Sequence, residues 1–179
     1  MQLRIGLLDK GSRMSDSFLW TPWRMPYLRG EDRQPVDGCI FCIKAGGSGA
    51  EFDAQEHVVA RSEHVYVTLN AYPYNNGHLL IVPFAHVPSV EDLPAEALTD
   101  LMLTLNRALA ALRAVYKPHA FNIGANIGAE AGAGLPDHVH LHVIPRWEAD
   151  TNFMTVVAGT RVIPDMLAST YAQLRDAWK

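Results

Sequence analysis

The run DHVHLHVIPRW, residues 137–147, sets His138, His140 and His142 at alternate positions, with Val139, Leu141 and Val143 filling the gaps. Three of the chain's eight histidines are spent here. Side chains alternate across a β-strand, so the spacing predicts three imidazoles on one face and three apolar residues on the other. In a helix each step of two would turn by about 200° and scatter them, and the β-branched content and Pro145 also favour a strand. One zinc ion does not suit all three, because the outer pair span about 13 Å at roughly 3.3 Å per residue while each Zn–N bond is about 2.1 Å. Two of them could share a metal. A solvent-facing row would have no structural need for three. A neutral imidazole is a nucleophile, and neighbouring imidazoles can orient it or donate to an oxyanion, so the row points to nucleophilic transfer. Phosphorus is a suitable target, since attack gives a phosphoramidate that splits one hard transfer into two easier ones. The glycine-rich GAEAGAGLPD just before the row adds backbone N–H groups for phosphate oxygens.

The elements that must hold this row are legible on either side of it. HVVARS (57–62), HVYVTLN (64–70) and HLLIVPF (78–84) read as short strands, with AYPYNNG as turn chemistry between the last two. From Pro94, a helix start, Leu98, Leu101, Met102, Leu105, Leu109 and Leu112 recur at steps of three and four, predicting an amphipathic helix that ends near Lys117-Pro118. FNIGANIG (121–128) returns to strand, and IPDMLASTYAQLRDAWK predicts a C-terminal helix. KAGGSGAEF reads as a flexible connection, and LWTPWRMPYL (19–28) as an irregular arm packed by area burial, against the body or a second subunit. Strands in the middle flanked by helices give an α+β class with a mainly antiparallel sheet. The division expected is a flexible tail over 1–18 and a single domain over 19–179.

Composition narrows the function. A chain of 179 residues, 49% hydrophobic and 19% charged, is sized for one soluble domain with a real core. A net charge of −4 and no Lys/Arg run argue against nucleic acid as partner, while a nucleotide-sized ligand remains open. No apolar run reaches membrane-span length, and the opening MQLRIGLLDKGSRMSDS lacks a signal peptide's apolar region, so a cytoplasmic protein is expected. Met14 is a second candidate start, with residues 1–13 then an extension.

HVHLHVI resembles the signature of the histidine triad (HIT) family of nucleotide hydrolases and transferases, and the likeness runs over roughly residues 19–178. WTPWRMPYL, LNAYPYNNGHLLIVPF, FNIGANIG and HVHLHVIPRW are most similar to the diadenosine tetraphosphate phosphorylases and hydrolases of that family. The resemblance implies a HIT-like fold and gives roles to particular residues. His140 would attack a nucleotide's α-phosphate, His142 would hydrogen-bond phosphate oxygens or the leaving group, and Asn126 would lie near the transferred phosphate. Asn70 would contact the sugar. Gly132-Ala133-Gly134 stands where relatives often carry a hydroxyl or amide, so backbone donors at Gly132 and Gly134 or nearby side chains must serve instead. Trp147 resembles a position typical of the phosphorylase-like branch, although an aromatic after a strand is also a common packing anchor.

Cys39-Ile40-Phe41-Cys42 holds all the cysteine of the chain. Without a secretion signal a disulfide is not expected, and a thioredoxin-like pair lacks its βαβ context, which leaves zinc and two further ligands to find. The resemblance implies His86 and His138 as those ligands, with the metal structural. His78 is the competing ligand, and it suits hydrogen bonding in the nucleotide pocket or core packing better. His57, His64 and His119 have no motif context. No organic cofactor is expected, and a homodimer is. The leading activity is cleavage of dinucleoside polyphosphates through a nucleotidyl-histidine, with phosphorolysis slightly ahead of hydrolysis. The alternatives are a nucleoside phosphoramidase, a non-catalytic nucleotide-binding module and a zinc-catalysed hydrolase.

Overall fold

The structure is a computed structural model and describes residues 38–148, 150 and 165–179. The expected tail over 1–18 and the aromatic arm over 19–28 lie outside the described residues. In chain order the elements are α1 (Ile40–Gly46), α2 (Ala50–Gln55), β1 (Val58–Arg61), β2 (Val65–Leu69), β3 (Leu79–Pro83), α3 (Ala95–Tyr116), β4 (Ala120–Gly124), β5 (Leu141–Arg146) and α4 (Leu167–Ala177). The five strands form one sheet in the order β1-β2-β3-β5-β4, every neighbouring pair antiparallel. This is the α+β architecture expected, with the long helix and the C-terminal helix both present.

Alternation divides the sheet into two faces with different work. Val65, Val67 and Leu69 of β2, Leu79 and Ile81 of β3 and Val143 of β5 join one core with Leu101, Leu105, Ala108 and Leu112 of α3. The opposite face carries Tyr66, Leu80 and Val82, which pack with Phe41 of α1. Leu80 pairs in register with His142, so the triad shares that second face. The helix stripe is rotated from the one read in the sequence. Leu98 and Met102 are 38% and 54% exposed, and Ala97, Thr104, Ala108 and Ala111 take the inward positions. Small residues there let the helix lie close on the sheet, which a hydrophobicity pattern weighted to Leu and Met does not reveal.

Residues 44–52, expected to be a flexible connection, instead contribute to the end of α1 and the start of α2, with 47–49 between them. Neither helix is long enough to stand alone, and tertiary contacts hold both. Arg61 donates to the carbonyls of Lys44 (2.8 Å) and Ala45 (3.3 Å) at the end of α1, and pairs with Asp53 of α2 at 2.8 Å. The buried Tyr66 hydroxyl donates to the Phe41 carbonyl (2.9 Å), tying α1 to the sheet. A guanidinium from β1 thus satisfies carbonyls that a helix end leaves open. Two strands also stop short of their sequence limits. β4 ends at Gly124, and the paired part of β5 starts at Leu141, after His138 and His140. Val139 N–H donates to Val87 O (2.8 Å), which keeps the alternating course through the first two histidines.

Gly77 ends the turn between β2 and β3 at φ +70°, and a Cβ there would come within 2.9 Å of Leu112 Cδ2 and 3.1 Å of the Tyr116 ring. Left-handed strain and a clash with α3 combine at this position. Gly77→Ala is expected to cost about 2 kcal/mol or more of stability, read as a lower urea midpoint at unchanged m-value.

Candidate active site and metal-ligand cluster

The second face of the sheet opens into a cavity of about 360 Å³. His140 and His142 line it from the triad, Asn126 and Gly132–Gly134 from the glycine-rich segment, and Asn70 from the end of β2. These sequence candidates therefore meet at one place. Ile40 and Phe41 of α1 and Leu80 of β3 give the lining an apolar part. Lys44, Thr68, Tyr72 and Tyr74 also line it, and none was singled out from the sequence. For Phe41 a signal existed in its place between the two cysteines; for Lys44 and Thr68 nothing in the local sequence marked them.

His140 is 8% exposed, and its Nδ1–H donates to the His138 carbonyl at 3.0 Å. A carbonyl only accepts, so Nδ1 carries the proton and the lone pair is on Nε2. Burial pulls the His140 pKa below the usual histidine value, against an opposing pull from that carbonyl. Burial favours the neutral ring, and the carbonyl fixes its one proton on Nδ1, which leaves the Nε2 lone pair that a nucleophile needs. The Phe41 ring packs at 4.8 Å from the His140 ring and 5.4 Å from that of His138, holding both in place from above. Asn126 donates from Nδ2 to Gly132 O at 3.5 Å, which ties the glycine-rich segment to the end of β4.

The triad's first histidine points elsewhere. His138 is fully buried, and its Nε2–H donates to Pro83 O at 2.9 Å, so Nδ1 holds the lone pair. That Nδ1 sits 3.3 Å from Cys39 Sγ, 3.6 Å from Cys42 Sγ and 3.2 Å from His86 Nδ1, while Cys42 Sγ is 3.2 Å from His86 Nδ1. All four ligand atoms lie within 4.8 Å of one another. Tetrahedral bonds of about 2.1 Å to nitrogen and about 2.3 Å to sulfur put ligand atoms roughly 3.4–3.8 Å apart, so the spacing suits one cation. The chemistry agrees: burial and the neighbouring Cys39 push the Cys42 thiol up, and two thiolates side by side call for a cation between them. His86 is the histidine that joins the cysteines, as expected over His78.

His78 is 1% exposed and stands behind the cavity wall, with its Nε2 2.9 Å from His142 Nδ1. Trp147 does not reach the cavity. Its indole N–H donates to Tyr116 O at the end of α3 (3.2 Å) and its ring meets Tyr116 edge-on, the arrangement of a packing anchor. His57 packs against Tyr171 of α4, and His119 Nδ1 accepts from the Glu148 N–H, so neither enters the site.

This fold has relatives. Residues 51–149 match the HIT domain family model. A Mycobacterium tuberculosis protein named AP-4-A phosphorylase is 39% identical over 176 residues, covering 96% of this chain and 90% of its own length. A Schizosaccharomyces pombe protein named bis(5'-nucleosyl)-tetraphosphatase [asymmetrical] is 35% identical over 101 residues, 56% of this chain and 55% of its own. Among solved structures, a zinc-bound histidine triad family protein from Mycobacterium smegmatis aligns at TM-score 0.61 and 27% identity, over 78% of this chain and 92% of that one. With the triad, the antiparallel sheet and a match along nearly its whole length, the chain belongs to the histidine triad family.

Proposed function

We propose that the protein cleaves dinucleoside polyphosphates by nucleotidyl transfer through His140. The observation that carries the reading is the His140 Nδ1–H bond to the His138 carbonyl, which leaves an unprotonated Nε2 on a ring lining a nucleotide-sized cavity. The apolar part of the lining at Ile40, Phe41 and Leu80 suits a nucleobase, and the polar part at Asn126, Gly132 and Gly134 suits phosphates. The name of the mycobacterial relative supports phosphorolysis of diadenosine tetraphosphate.

In that reaction the Nε2 lone pair of His140 attacks the α-phosphorus, and the bond from that phosphorus to the bridging oxygen breaks. ATP leaves with the bond electrons, and adenylyl-His140 remains. Its Nδ1–H, held by the His138 carbonyl, lets the ring carry the positive charge that develops on attack. Phosphate then displaces His140 and gives ADP, whereas water would give AMP. His142 and the glycine-rich backbone are placed to donate to the phosphate oxygens, and Asn126 to fix the loop that presents them.

Incubation with diadenosine tetraphosphate is expected to give ATP plus ADP when phosphate is present, read by chromatography. ATP plus AMP at the same rate with and without phosphate would reassign the enzyme as a hydrolase. His140→Asn is expected to lower turnover at least a thousandfold while nucleotide affinity changes little, because a lost covalent nucleophile raises the barrier more than it disturbs ground-state contacts. Wild-type turnover in that variant would end the covalent reading.

Zinc is the metal proposed for Cys39, Cys42, His86 and His138, since two thiolates and two imidazoles form a closed soft set with no position left for substrate. Its contribution is to the fold: it joins α1 to the segment that leads into the triad. The purified protein is expected to hold about one zinc per chain, and Cys39→Ser/Cys42→Ser to lose it together with several degrees of melting temperature. Full zinc retention in the double variant would sink the assignment.

A homodimer accompanies this reading. Among the described residues β4 has a neighbour on one side only, and Ile123 on it is 46% exposed, as are Met102 (54%) and Leu103 (59%) on α3. Light scattering at micromolar concentration is expected to give twice the chain mass of 19.8 kDa, and a monomeric mass would reject the dimer.

A further inference from the structure

Among the described residues His78 is buried, stands outside the Cys/His cluster and does not line the cavity, yet its Nε2 lies 2.9 Å from the Nδ1 of a triad ring. A backbone donor determines which of its nitrogens carries the proton. Tyr74 N–H points at His78 Nδ1 from 3.0 Å, and a backbone N–H can only donate. Asn70 Oδ1 accepts from Tyr72 N–H at 3.0 Å, which turns its amide nitrogen to the ring, 3.3 Å from Nδ1 and 3.5 Å from Nε2 and so aligned with neither lone pair. The donor at Nδ1 is the Tyr74 N–H, so His78 Nδ1 carries no proton. The ring's proton is therefore on Nε2, which lies 2.9 Å from His142 Nδ1 and donates to it. His142 Nδ1 is in turn an acceptor, and a neutral His142 must carry its proton on Nε2.

We propose that His78 is a positioning residue that sets the tautomer of His142, passing the donor direction of the Asn70–Tyr74 turn to a histidine on the cavity wall. The effect is to give adjacent triad members opposite characters. His140 is protonated on Nδ1 and bare on Nε2, while His142 is bare on Nδ1 and protonated on Nε2. One ring is left as a nucleophile and the next as a hydrogen-bond donor, although their side chains are identical and their ring centres only 4.9 Å apart. Without the relay, His142 would be free to take the other tautomer and turn a lone pair toward an anionic phosphate, a repulsive contact in place of a donated bond. Tyr74, stacked on His78 at 5.0 Å and on His142 at 6.1 Å, keeps the two rings at the angle the bond needs. The benefit to turnover rests on the nucleotidyl-transfer reading above; the tautomer assignment does not.

The test uses the full chain labelled with ¹⁵N at histidine. Long-range ¹H–¹⁵N correlation spectra, recorded without substrate, are expected to show His142 protonated on Nε2 alone and His140 on Nδ1 alone. His78→Phe, which offers no donor, is expected to convert His142 to a mixture of tautomers. It should also lower kcat with diadenosine tetraphosphate about ten- to a hundredfold while KM stays within about threefold, as for loss of a transition-state donor. In His78→Gln the amide N–H can replace the Nε2 donor and the carbonyl can accept from Tyr74, so both the His142 pattern and most of the lost kcat should return. A wild-type His142 protonated on Nδ1, or a His142 pattern unchanged in His78→Phe, would overturn the proposal. The wild-type spectrum is decisive even if His78→Phe fails to fold, and because it needs no substrate it separates this inference from the choice of substrate.

Discussion

A neutral imidazole has two nitrogens and one proton, so the group bound at one nitrogen decides what the other can do. Along the triad each ring has one nitrogen engaged by a partner behind the reacting surface. His138 donates its Nε2–H to Pro83 O, His140 donates its Nδ1–H to the His138 carbonyl, and in the proposed relay His142 Nδ1 accepts a hydrogen bond from His78. Three identical side chains two residues apart would thereby acquire three characters: a ligand lone pair, a nucleophilic lone pair and a donor. The partners are two backbone carbonyls and one buried ring. Preorganisation of this kind needs no movement at the moment of reaction.

The sheet can supply those partners because its faces are separated so completely. The face under α3 is built from Val, Leu and Ile and takes the burial that folds the chain, while the opposite face holds polar rings among few apolar residues. Buried imidazoles on that face cost desolvation, seen in the lowered pKa of both His138 and His140, and each is compensated by a hydrogen bond. The turn between β2 and β3 serves both faces: a side chain at Gly77 would meet Leu112 and Tyr116 of α3, and the Tyr74 N–H three residues earlier donates to His78.

Much of this was legible in the sequence where local periodicity carries the information. Alternation placed His138, His140 and His142 on one face, and strand and helix types in the middle of the chain follow from patterns of two and of three to four residues. The metal-ligand cluster was legible too, because CxxC is a compact signal and the resemblance distinguished His86 from His78. What was not legible depends on long-range contacts. The short helices α1 and α2 exist because Arg61 and Tyr66 hold them, and glycines at 46, 47 and 49 argue locally for a loop. The rotation of the α3 stripe depends on alanines whose small size matters only against the sheet. Lys44 and Thr68 reach the cavity through tertiary placement, and Trp147 looked like a site residue because a strand-end aromatic serves packing and recognition equally well.

The arrangement also shows how the proposed metal ligands and the proposed nucleophile could stand two residues apart without interfering. His138 and His140 fall on the same face, but His138 offers Nδ1 to the cysteine pair, whereas His140 keeps its Nδ1 on the backbone and its Nε2 for the cavity. Phe41, between Cys39 and Cys42, inserts its ring against both histidines, so the helix that carries the thiols also forms part of the apolar lining of the pocket. A cation at the cluster would therefore act on the reaction only mechanically, by fixing α1 and with it the position of Phe41 over the nucleophile. Two thiolates neutralise a divalent charge, and with its four positions filled by protein the ion has no place for a substrate oxygen. In the proposed reaction the phosphate is then activated by groups of the cavity wall, and the proton on the cavity side of His142 would matter as much as the lone pair on His140.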